Sequence, residues 1–167
     1  MSGLAKKLEV VANVAIIVVA LFLGVILLQM FVLSPRNAGQ PEIAAGTKVS
    51  LDEVQWEKSK QTLVLALAVG CGFCTESAPF YQQLVKETAN KSDVQLIAVL
   101  PQEIGEARQY LDSLKVSIKE VRQHPLSSLN VVGTPTLILV NNKGEVTDSW
   151  IGRLQADEEA EVLKRLR

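Results

Sequence analysis

Apolar residues are densest in one uninterrupted stretch near the N-terminus. Residues 10–33 include no charged side chain. As a helix they would extend about 36 Å at a rise of 1.5 Å per residue, enough to cross a hydrocarbon core of about 30 Å. A cleaved signal peptide is the alternative, but its apolar region is usually only about 7–15 residues long. The pattern therefore predicts one uncleaved transmembrane anchor over residues 10–33, after an N-terminal tail of residues 1–9.

The charges on either side of this stretch indicate its orientation. Lys6 and Lys7 precede it, whereas Arg36 and, farther away, Lys48 follow it. Because positive charge accumulates on the cytoplasmic side of membrane helices, this small asymmetry favours a cytoplasmic N-terminus. We therefore expect a single-pass membrane protein whose C-terminal domain lies outside the cytoplasm, in the periplasm if the source is bacterial.

The pattern changes after the apolar stretch. Residues 34–46 contain two prolines, two glycines and small polar residues, so they are predicted to be a linker. Residues 47–167 then alternate between short apolar runs, which are typical of buried strands, and longer stretches with helical spacing. Residues 116–130 show neither pattern clearly.

Strands and helices follow each other through residues 47–167 in the order of an α/β domain. The predicted elements are an edge strand 47–51, a strand 62–69, a helix 74–89, a strand 94–100, a helix 103–115 with Ile104, Ala107, Leu111 and Leu114 on one face, strands 136–140 and 145–150, and a helix 157–167. The segment Asn141-Asn142-Lys143-Gly144 predicts a hairpin turn between the last two strands. The order predicts a mixed central sheet with helices on both faces.

Composition narrows the choice of function. The chain is close to neutral, with 17 Lys and Arg residues against 18 Asp and Glu residues and a net charge of −1. A nucleic-acid-binding protein needs a basic surface to neutralise phosphates, so we expect no nucleic acid among the partners. The mean hydropathy of +0.21 is high for a soluble domain, and residues 10–33 account for most of the excess.

The two cysteines form one Cys-x-x-Cys motif, Cys71 and Cys74, between a predicted strand and a predicted helix. At the N-terminus of a helix, free backbone N–H groups and the dipole stabilise a thiolate and lower the pKa of the thiol. Cys74 lies one turn farther in, where it could attack a mixed disulfide formed at Cys71. The motif therefore predicts thiol–disulfide exchange.

Three other interpretations of the motif stay open. The pair could be a structural disulfide, although a two-residue spacer closes too short a loop to stabilise the fold much. It could be half of a zinc site, with further ligands from His124 or from a second chain. Two inert buried cysteines are the third alternative.

A second motif, Gly133-Thr134-Pro135-Thr136, precedes the predicted strand 136–140. Proline cannot donate to a sheet ladder and is found at strand starts, and an X-Pro bond at such an entry is a candidate cis peptide. A cis bond would leave the backbone of Thr134 free to pair with an extended peptide. A trans proline is the alternative, but the Cys-x-x-Cys motif one strand–helix–strand unit earlier favours the cis form.

Together these features resemble the thioredoxin superfamily over residues 47–167. They are the strand 62–69, Cys71-Gly72-Phe73-Cys74, Pro79, Gly133-Thr134-Pro135-Thr136 and Trp150-Ile151-Gly152. With its N-terminal anchor, the chain is most similar to membrane-tethered proteins of the TlpA/ResA type. The resemblance implies a thioredoxin-like fold, Cys71 as nucleophile, Cys74 as resolving thiol, a cis Pro135, and no cofactor beyond the redox-active Cys71–Cys74 disulfide.

The chain departs from the family pattern around the cysteines. Gly70 stands where a Trp usually precedes the first cysteine, Leu65 stands where thioredoxins carry a buried Asp, and Ser77 stands where a Glu is often found. The group that accepts the proton of Cys74 is therefore not identified. Glu76 is the candidate proton acceptor, and the alternative is that it is only a solvated residue of the first helical turn.

The predicted function is a membrane-anchored thiol–disulfide oxidoreductase that exchanges disulfides with protein partners outside the cytoplasm, in the reductive direction. Thr134, Pro135 and Phe73 are the candidate substrate-binding residues. The predicted partners are protein thiols and disulfides, membrane lipid through residues 10–33, and a membrane or extracytoplasmic thiol that donates or accepts electrons. The alternative function is a tethered thioredoxin-like binding module whose cysteines hold a metal or only brace the loop.

Overall fold

The chain divides into two units, Met1–Gln40 and Pro41–Arg167. In a computed structural model of the chain, the described residues are 13, 16–26, 43–51 and 54–166. Residues 16–26 of the first unit are helical and exposed. Over the described ranges, no helix has both the length and the apolar character needed to cross a membrane. The predicted anchor, residues 10–33, lies partly outside the described residues, and most of the predicted linker 34–46 lies outside them as well.

The second unit is built around a five-stranded sheet. Its strands are β1 (Gln61–Ala66), β2 (Val94–Leu100), β3 (Glu120–Gln123), β4 (Thr136–Asn141) and β5 (Val146–Ile151). Their spatial order is β3-β2-β1-β4-β5. The β1–β2 and β2–β3 pairs are parallel, whereas the β1–β4 and β4–β5 pairs are antiparallel. The predicted mixed central sheet is therefore confirmed.

Four α-helices connect or follow these strands. They are α1 (Gly72–Glu76), α2 (Ala78–Thr88), α3 (Ile104–Ser113) and α4 (Ala156–Arg165). The sequence predicted one helix over residues 74–89, and the structure instead divides it at Ser77. The division has a local cause, because Pro79 has no N–H to donate to the carbonyl one turn earlier. Two 3-10 helices, Trp56–Lys58 and Leu126–Leu129, complete the elements.

Alternation along the strands separates two layers of core. Leu63, Leu65 and Leu67 pack with residues of α2, α3 and α4, among them Tyr81, Leu111 and Val162. Val64 and Ala66, on the opposite face of β1, pack with residues outside the α-helices; these are Ile43, Leu51, Leu129 and Val131 together with Ile97, Val99, Ile138, Val140 and Val146 of the neighbouring strands.

The prediction of helices on both faces of the sheet holds only in part, because the α-helices cover one face and the helices on the other face are the two 3-10 helices. The α-helical core residues all belong to one layer, and the other face is covered by residues 43–56 and by the segment around Leu126–Leu129. The reason is topological. Successive parallel crossovers from β1 to β2 and from β2 to β3 run in the same direction, and right-handed crossovers then place both connecting helices on the same side.

Two differences concern the strands. Residues 116–130 show no clear pattern in the sequence, yet β3 lies there. It is a four-residue edge strand in which only Val121 is buried. Its apolar pattern is therefore too short to be recognised as a strand in the sequence. The predicted edge strand 47–51 is reduced to a single antiparallel bridge between Lys48 and Glu145.

Several smaller differences concern element ends. The predicted strand 62–69 ends as a strand at Ala66, although Leu67 is still buried. Ile104 was placed on the buried face of a helix, but it is 44% exposed because it is the first residue of α3. The hairpin turn predicted at Asn141-Asn142-Lys143-Gly144 is confirmed by the antiparallel pairing of β4 with β5.

Candidate active site

The two cysteines lie where the chain leaves β1 and begins α1. Gly70 takes a positive φ of 79°, which permits the sharp turn before Cys71. Cys71 is the N-cap residue of α1, and Cys74 lies inside that helix. The two are joined by a disulfide, with their Cα atoms 5.2 Å apart. Cys71 is partly exposed, whereas Cys74 is completely buried, so an incoming sulfur can reach only Cys71.

The start of α1 directs a backbone donor at the exposed sulfur. The amide of Cys74 donates to Sγ of Cys71, with 3.1 Å between nitrogen and sulfur. A backbone N–H in this position stabilises an anion on sulfur more than a neutral thiol. In the reduced protein the same contact would therefore favour the Cys71 thiolate, the nucleophilic form.

The loop before β4 comes within contact distance of the same sulfur. The Thr134–Pro135 peptide bond is cis, as the sequence predicted. The carbonyl oxygen of Thr134 is 3.4 Å from Sγ of Cys71. Because a disulfide sulfur carries no hydrogen, this is a van der Waals contact, and it becomes a hydrogen bond only when Cys71 is a thiol. The structure thus brings together Cys71, Cys74 and Thr134, which the sequence had placed in one site.

Short hydrogen bonds hold this loop in place. The Thr136 hydroxyl donates to the Gly133 carbonyl at 2.7 Å, and the Gly152 amide donates to the Pro135 carbonyl at 2.7 Å. Pro135 itself is buried. The backbone that faces Cys71 is therefore anchored to β4 and to the end of β5.

The segment after β2 anchors the cysteine loop from the other side. The side-chain oxygen of Gln102 accepts from the Val69 amide at 3.3 Å. The Thr75 hydroxyl donates to the Cys71 carbonyl at 3.2 Å, and the Tyr110 hydroxyl of α3 lies 3.3 Å from the Thr75 hydroxyl. These contacts fix the chain on both sides of Cys71. Sequence reasoning missed Gln102 and Tyr110, because neither is near the motif along the chain.

The fold is similar to that of several solved structures. The chain is similar to the thioredoxin domain of a thiol-disulfide oxidoreductase from Bacteroides vulgatus, with a TM-score of 0.57, 19% identity, and coverage of 74% of this chain and 98% of that one. StoA from Bacillus subtilis gives a TM-score of 0.53 and 19% identity over 66% of this chain and 84% of StoA.

A third similar structure is a thiol:disulfide interchange protein from Bacteroides sp., with a TM-score of 0.54, 21% identity, and coverage of 75% of this chain and 85% of that one. No protein-family model and no curated protein sequence matches the chain. At these identities the structural likeness establishes the fold. The chain has the thioredoxin fold. The thioredoxin-like fold that the sequence predicted is therefore confirmed, and the names of the first and third of these structures describe those proteins as a thiol-disulfide oxidoreductase and a thiol:disulfide interchange protein.

Phe73 carries the large apolar side chain of the Cys-x-x-Cys motif, and that side chain is exposed. It is 59% exposed and stands between the two cysteines. Val132, two residues before Thr134, is 67% exposed. Of the described residues outside 16–26, the exposed large apolar side chains are these two and Ile104. Two of the three therefore belong to α1 and to the loop before β4, which meet at Cys71. The sequence singled out Phe73 but not Val132.

Glu76 lies on the surface of α1. Its carboxylate pairs with the guanidinium of Arg153 at 2.7 Å, and both side chains are about half exposed. Cys74, whose proton it was expected to accept, is completely buried. The role of Glu76 as proton acceptor stays a prediction, and it would have to act while its carboxylate is paired with Arg153.

Two buried hydroxyl groups lie on the same helical stripe as Cys74, and sequence reasoning assigned them no role. The hydroxyls of Ser77 and Tyr81 are both buried and lie beside each other, but neither makes a hydrogen bond of good geometry within the described residues. Burial raises the pKa of Tyr81 well above its usual value, while the neighbouring Ser77 hydroxyl acts in the opposite direction and Tyr110 adds to the increase. Tyr81 therefore stays protonated at any physiological pH.

A zinc site at the cysteines would need further ligands nearby. Over the ranges that the structure describes, no group of three or more His, Cys, Asp and Glu side chains could hold a metal ion. His124 lies directly after β3, where its amide donates to the Leu100 carbonyl at 3.0 Å.

Proposed function

We propose that the chain is a membrane-anchored thiol–disulfide oxidoreductase that exchanges disulfides with protein partners outside the cytoplasm. The observation that carries the proposal is the Cys71–Cys74 disulfide at the start of α1, in which Cys71 is partly exposed and Cys74 is buried. The backbone amide of Cys74 and the carbonyl of Thr134 both face Sγ of Cys71. An accessible sulfur with a donor aimed at it, joined to a buried second sulfur, suits thiol–disulfide exchange.

In the reductive direction, which we expect, the reaction takes two steps. The Cys71 thiolate attacks one sulfur of a client disulfide, and the other client sulfur leaves as a thiolate and takes up a proton. The Cys74 thiolate then attacks Sγ of Cys71 in the mixed disulfide and releases the second client sulfur. The client gains two electrons and two protons, and the Cys71–Cys74 disulfide forms. A thiol donor in the membrane or outside the cytoplasm must then reduce that disulfide.

The loop before β4 is proposed to position the client. Thr134 and Pro135 present backbone beside Sγ of Cys71, where an extended client segment would pair with Thr134. Phe73 would contact an apolar side chain of that segment. Glu76 is proposed to help remove the proton of Cys74 before the second step.

The anchor and the location are also part of the proposal. An uncharged stretch over residues 10–33 would hold the protein in the lipid, with the linker 34–46 and the domain 47–167 outside the cytoplasm. The redox domain would then face clients that have already been exported, in a compartment where disulfides persist.

Trapping of mixed disulfides tests this function. A Cys74→Ser variant retains the nucleophile but cannot resolve the intermediate, so we expect it to accumulate covalent complexes with client proteins that disappear on reduction. Cys71→Ser is the matched control and should form none, because its remaining sulfur is buried. Equal trapping by both variants, or none by either, would show that the proposed reaction is wrong.

The reduction potential tests the direction. We expect a value near or below about −270 mV, which is typical of thioredoxin-like reductants. A value near about −120 mV would instead indicate an oxidant that introduces disulfides, and it would overturn the proposed direction while leaving the exchange reaction intact.

A further inference from the structure

A stripe of buried residues runs down one face of α1 and α2, beginning at Cys74. The Ser77 amide donates to the Phe73 carbonyl at 3.0 Å, and the Tyr81 amide donates to the Ser77 carbonyl at 3.2 Å. These two hydrogen bonds span the junction at Ser77, so residues three and four apart stay on one face although the helix is divided there. Along that face Cys74, Ser77 and Tyr81 are 0%, 6% and 0% exposed.

The two hydroxyl groups on this stripe are unusual because, in the disulfide form of the protein, they are buried beside each other without a hydrogen bond of good geometry. Burying a hydroxyl without a partner is costly, and such groups in a native structure call for an explanation. Their place in the fold suggests one: Ser77 is three residues after the buried sulfur, and Tyr81 is one turn beyond Ser77.

Reduction changes what this stripe can bind. In the disulfide, the Cys74 sulfur is a weak acceptor without charge. Reduction by a thiol donor adds two electrons and two protons to the Cys71–Cys74 pair, and the donor is oxidised to its disulfide. The Cys74 sulfur then becomes a thiol and, when it loses its proton, an anion that is a strong hydrogen-bond acceptor.

We propose that in the reduced protein the Ser77 hydroxyl donates to the Cys74 sulfur and the Tyr81 hydroxyl donates to Ser77, so that the two groups selectively stabilise the reduced state. The inference rests on the proposed oxidoreductase function. Ser77 and Tyr81 act through Cys74, so they are positioning residues. In the disulfide form the Ser77 hydroxyl has Tyr81 beside it without good hydrogen-bond geometry, whereas in the reduced form it gains the Cys74 sulfur as a strong acceptor. The difference makes the disulfide easier to reduce.

The test is the reduction potential of the full-length chain, kept in mild detergent and equilibrated with glutathione redox buffers. Thiols are then alkylated and counted by mass. Loss of one hydrogen bond in the Ser77→Ala variant should shift the equilibrium about fivefold towards the disulfide, which lowers the potential by about 20 mV. Tyr81→Phe should shift it in the same direction by less. Ser77→Thr, which keeps the hydroxyl, should restore the wild-type value.

The chain provides a matched control at Thr62. Its hydroxyl is also buried without a partner, but it belongs to the start of β1, at the opposite end of that strand from the cysteines. Thr62→Val removes an orphaned hydroxyl of the same kind and should leave the potential unchanged. The double variant Ser77→Ala/Tyr81→Phe should match Ser77→Ala alone, because Tyr81 acts through Ser77.

The outcomes separate this inference from the proposed function. Normal exchange with glutathione but no shift in either Ser77→Ala or Tyr81→Phe would overturn the inference alone, as would an equal shift in Thr62→Val. A wild-type chain that never exchanges with glutathione would overturn the proposed function and the inference together. A thermal unfolding curve for each variant shows that the measured potential belongs to the folded protein.

Discussion

Cys71 and Cys74 are one helical turn apart but differ in their access to solvent. Cys71 caps the start of α1 and is partly exposed, while Cys74 points into the core and is completely buried. This difference follows from local spacing, so the sequence could predict it. The Glu76–Arg153 pair could not be predicted in the same way, because its partners are 77 residues apart and meet only through the fold.

At the residue scale, Phe73 is predicted to select clients. Phe73→Ser should lower kcat/KM for peptide disulfides with apolar residues beside the cysteine by about fivefold to tenfold, because part of an aromatic side chain loses its contact with the client. The rate with dithiothreitol, which is too small to reach Phe73, should not change. Kinetics with both substrates make the comparison.

Ile104→Ser is the control for this prediction. Ile104 is 44% exposed, close to the 59% of Phe73, but it begins α3 and is not part of the Cys-x-x-Cys motif. An equal loss in Ile104→Ser would mean that general surface hydrophobicity, and not the place of Phe73, binds the client.

At the scale of single elements, the sequence predicted buried strands better than exposed ones. The apolar runs that became β1, β2 and β4 have long buried patterns. In β3, Glu120 and Arg122 flank the single buried residue Val121, as charged residues often do on edge strands. The apolar run also predicted that β1 would extend beyond its actual end at Ala66. Leu67 is buried although the strand has ended, because it packs in the helix-side core.

The β4–β5 hairpin offers a test of element stability. The Asn141 side-chain oxygen accepts from the amides of Lys143 and Glu145 at 2.8 and 3.0 Å. Asn141→Ala should therefore destabilise the fold by about 1–2 kcal/mol. The reduction potential should not change, because Asn141 pairs with Gln61 at the end of β1 that is farther from Cys71.

Chemical denaturation by urea gives the stability, and Asn142→Ala is the control. Asn142 is the exposed neighbour in the same turn, so its loss tests whether any substitution there is harmful. If Asn142→Ala costs as much as Asn141→Ala, the two hydrogen bonds of the Asn141 side chain are not what stabilises the turn.

At the scale of the whole molecule, strand directions explain why two distant motifs form one site. β1 and β4 are antiparallel neighbours, with Ala66 opposite Thr136. The residues that follow β1 and those that precede β4 therefore emerge at the same edge of the sheet, which brings Thr134 to Cys71. Local patterns do not show which distant residues lie close together. The proximity of Thr134 to Cys71 was predicted from the resemblance to the thioredoxin superfamily. The same limit explains why the sequence did not show that all four α-helices pack on one face of the sheet.

The proposed location outside the cytoplasm can be tested by labelling Cys71. In intact cells treated with a reductant, a thiol reagent that cannot cross membranes should label the chain, because Cys71 is partly exposed and would face the outside. Cys71→Ser should abolish the labelling, since Cys74 is buried. A variant without residues 10–33 should no longer sediment with membranes, because it lacks the uncharged stretch that is proposed to cross the lipid. Labelling of the intact chain only after the cells are broken would place the redox domain in the cytoplasm, where persistent disulfides are rare, and the proposed clients would then be wrong.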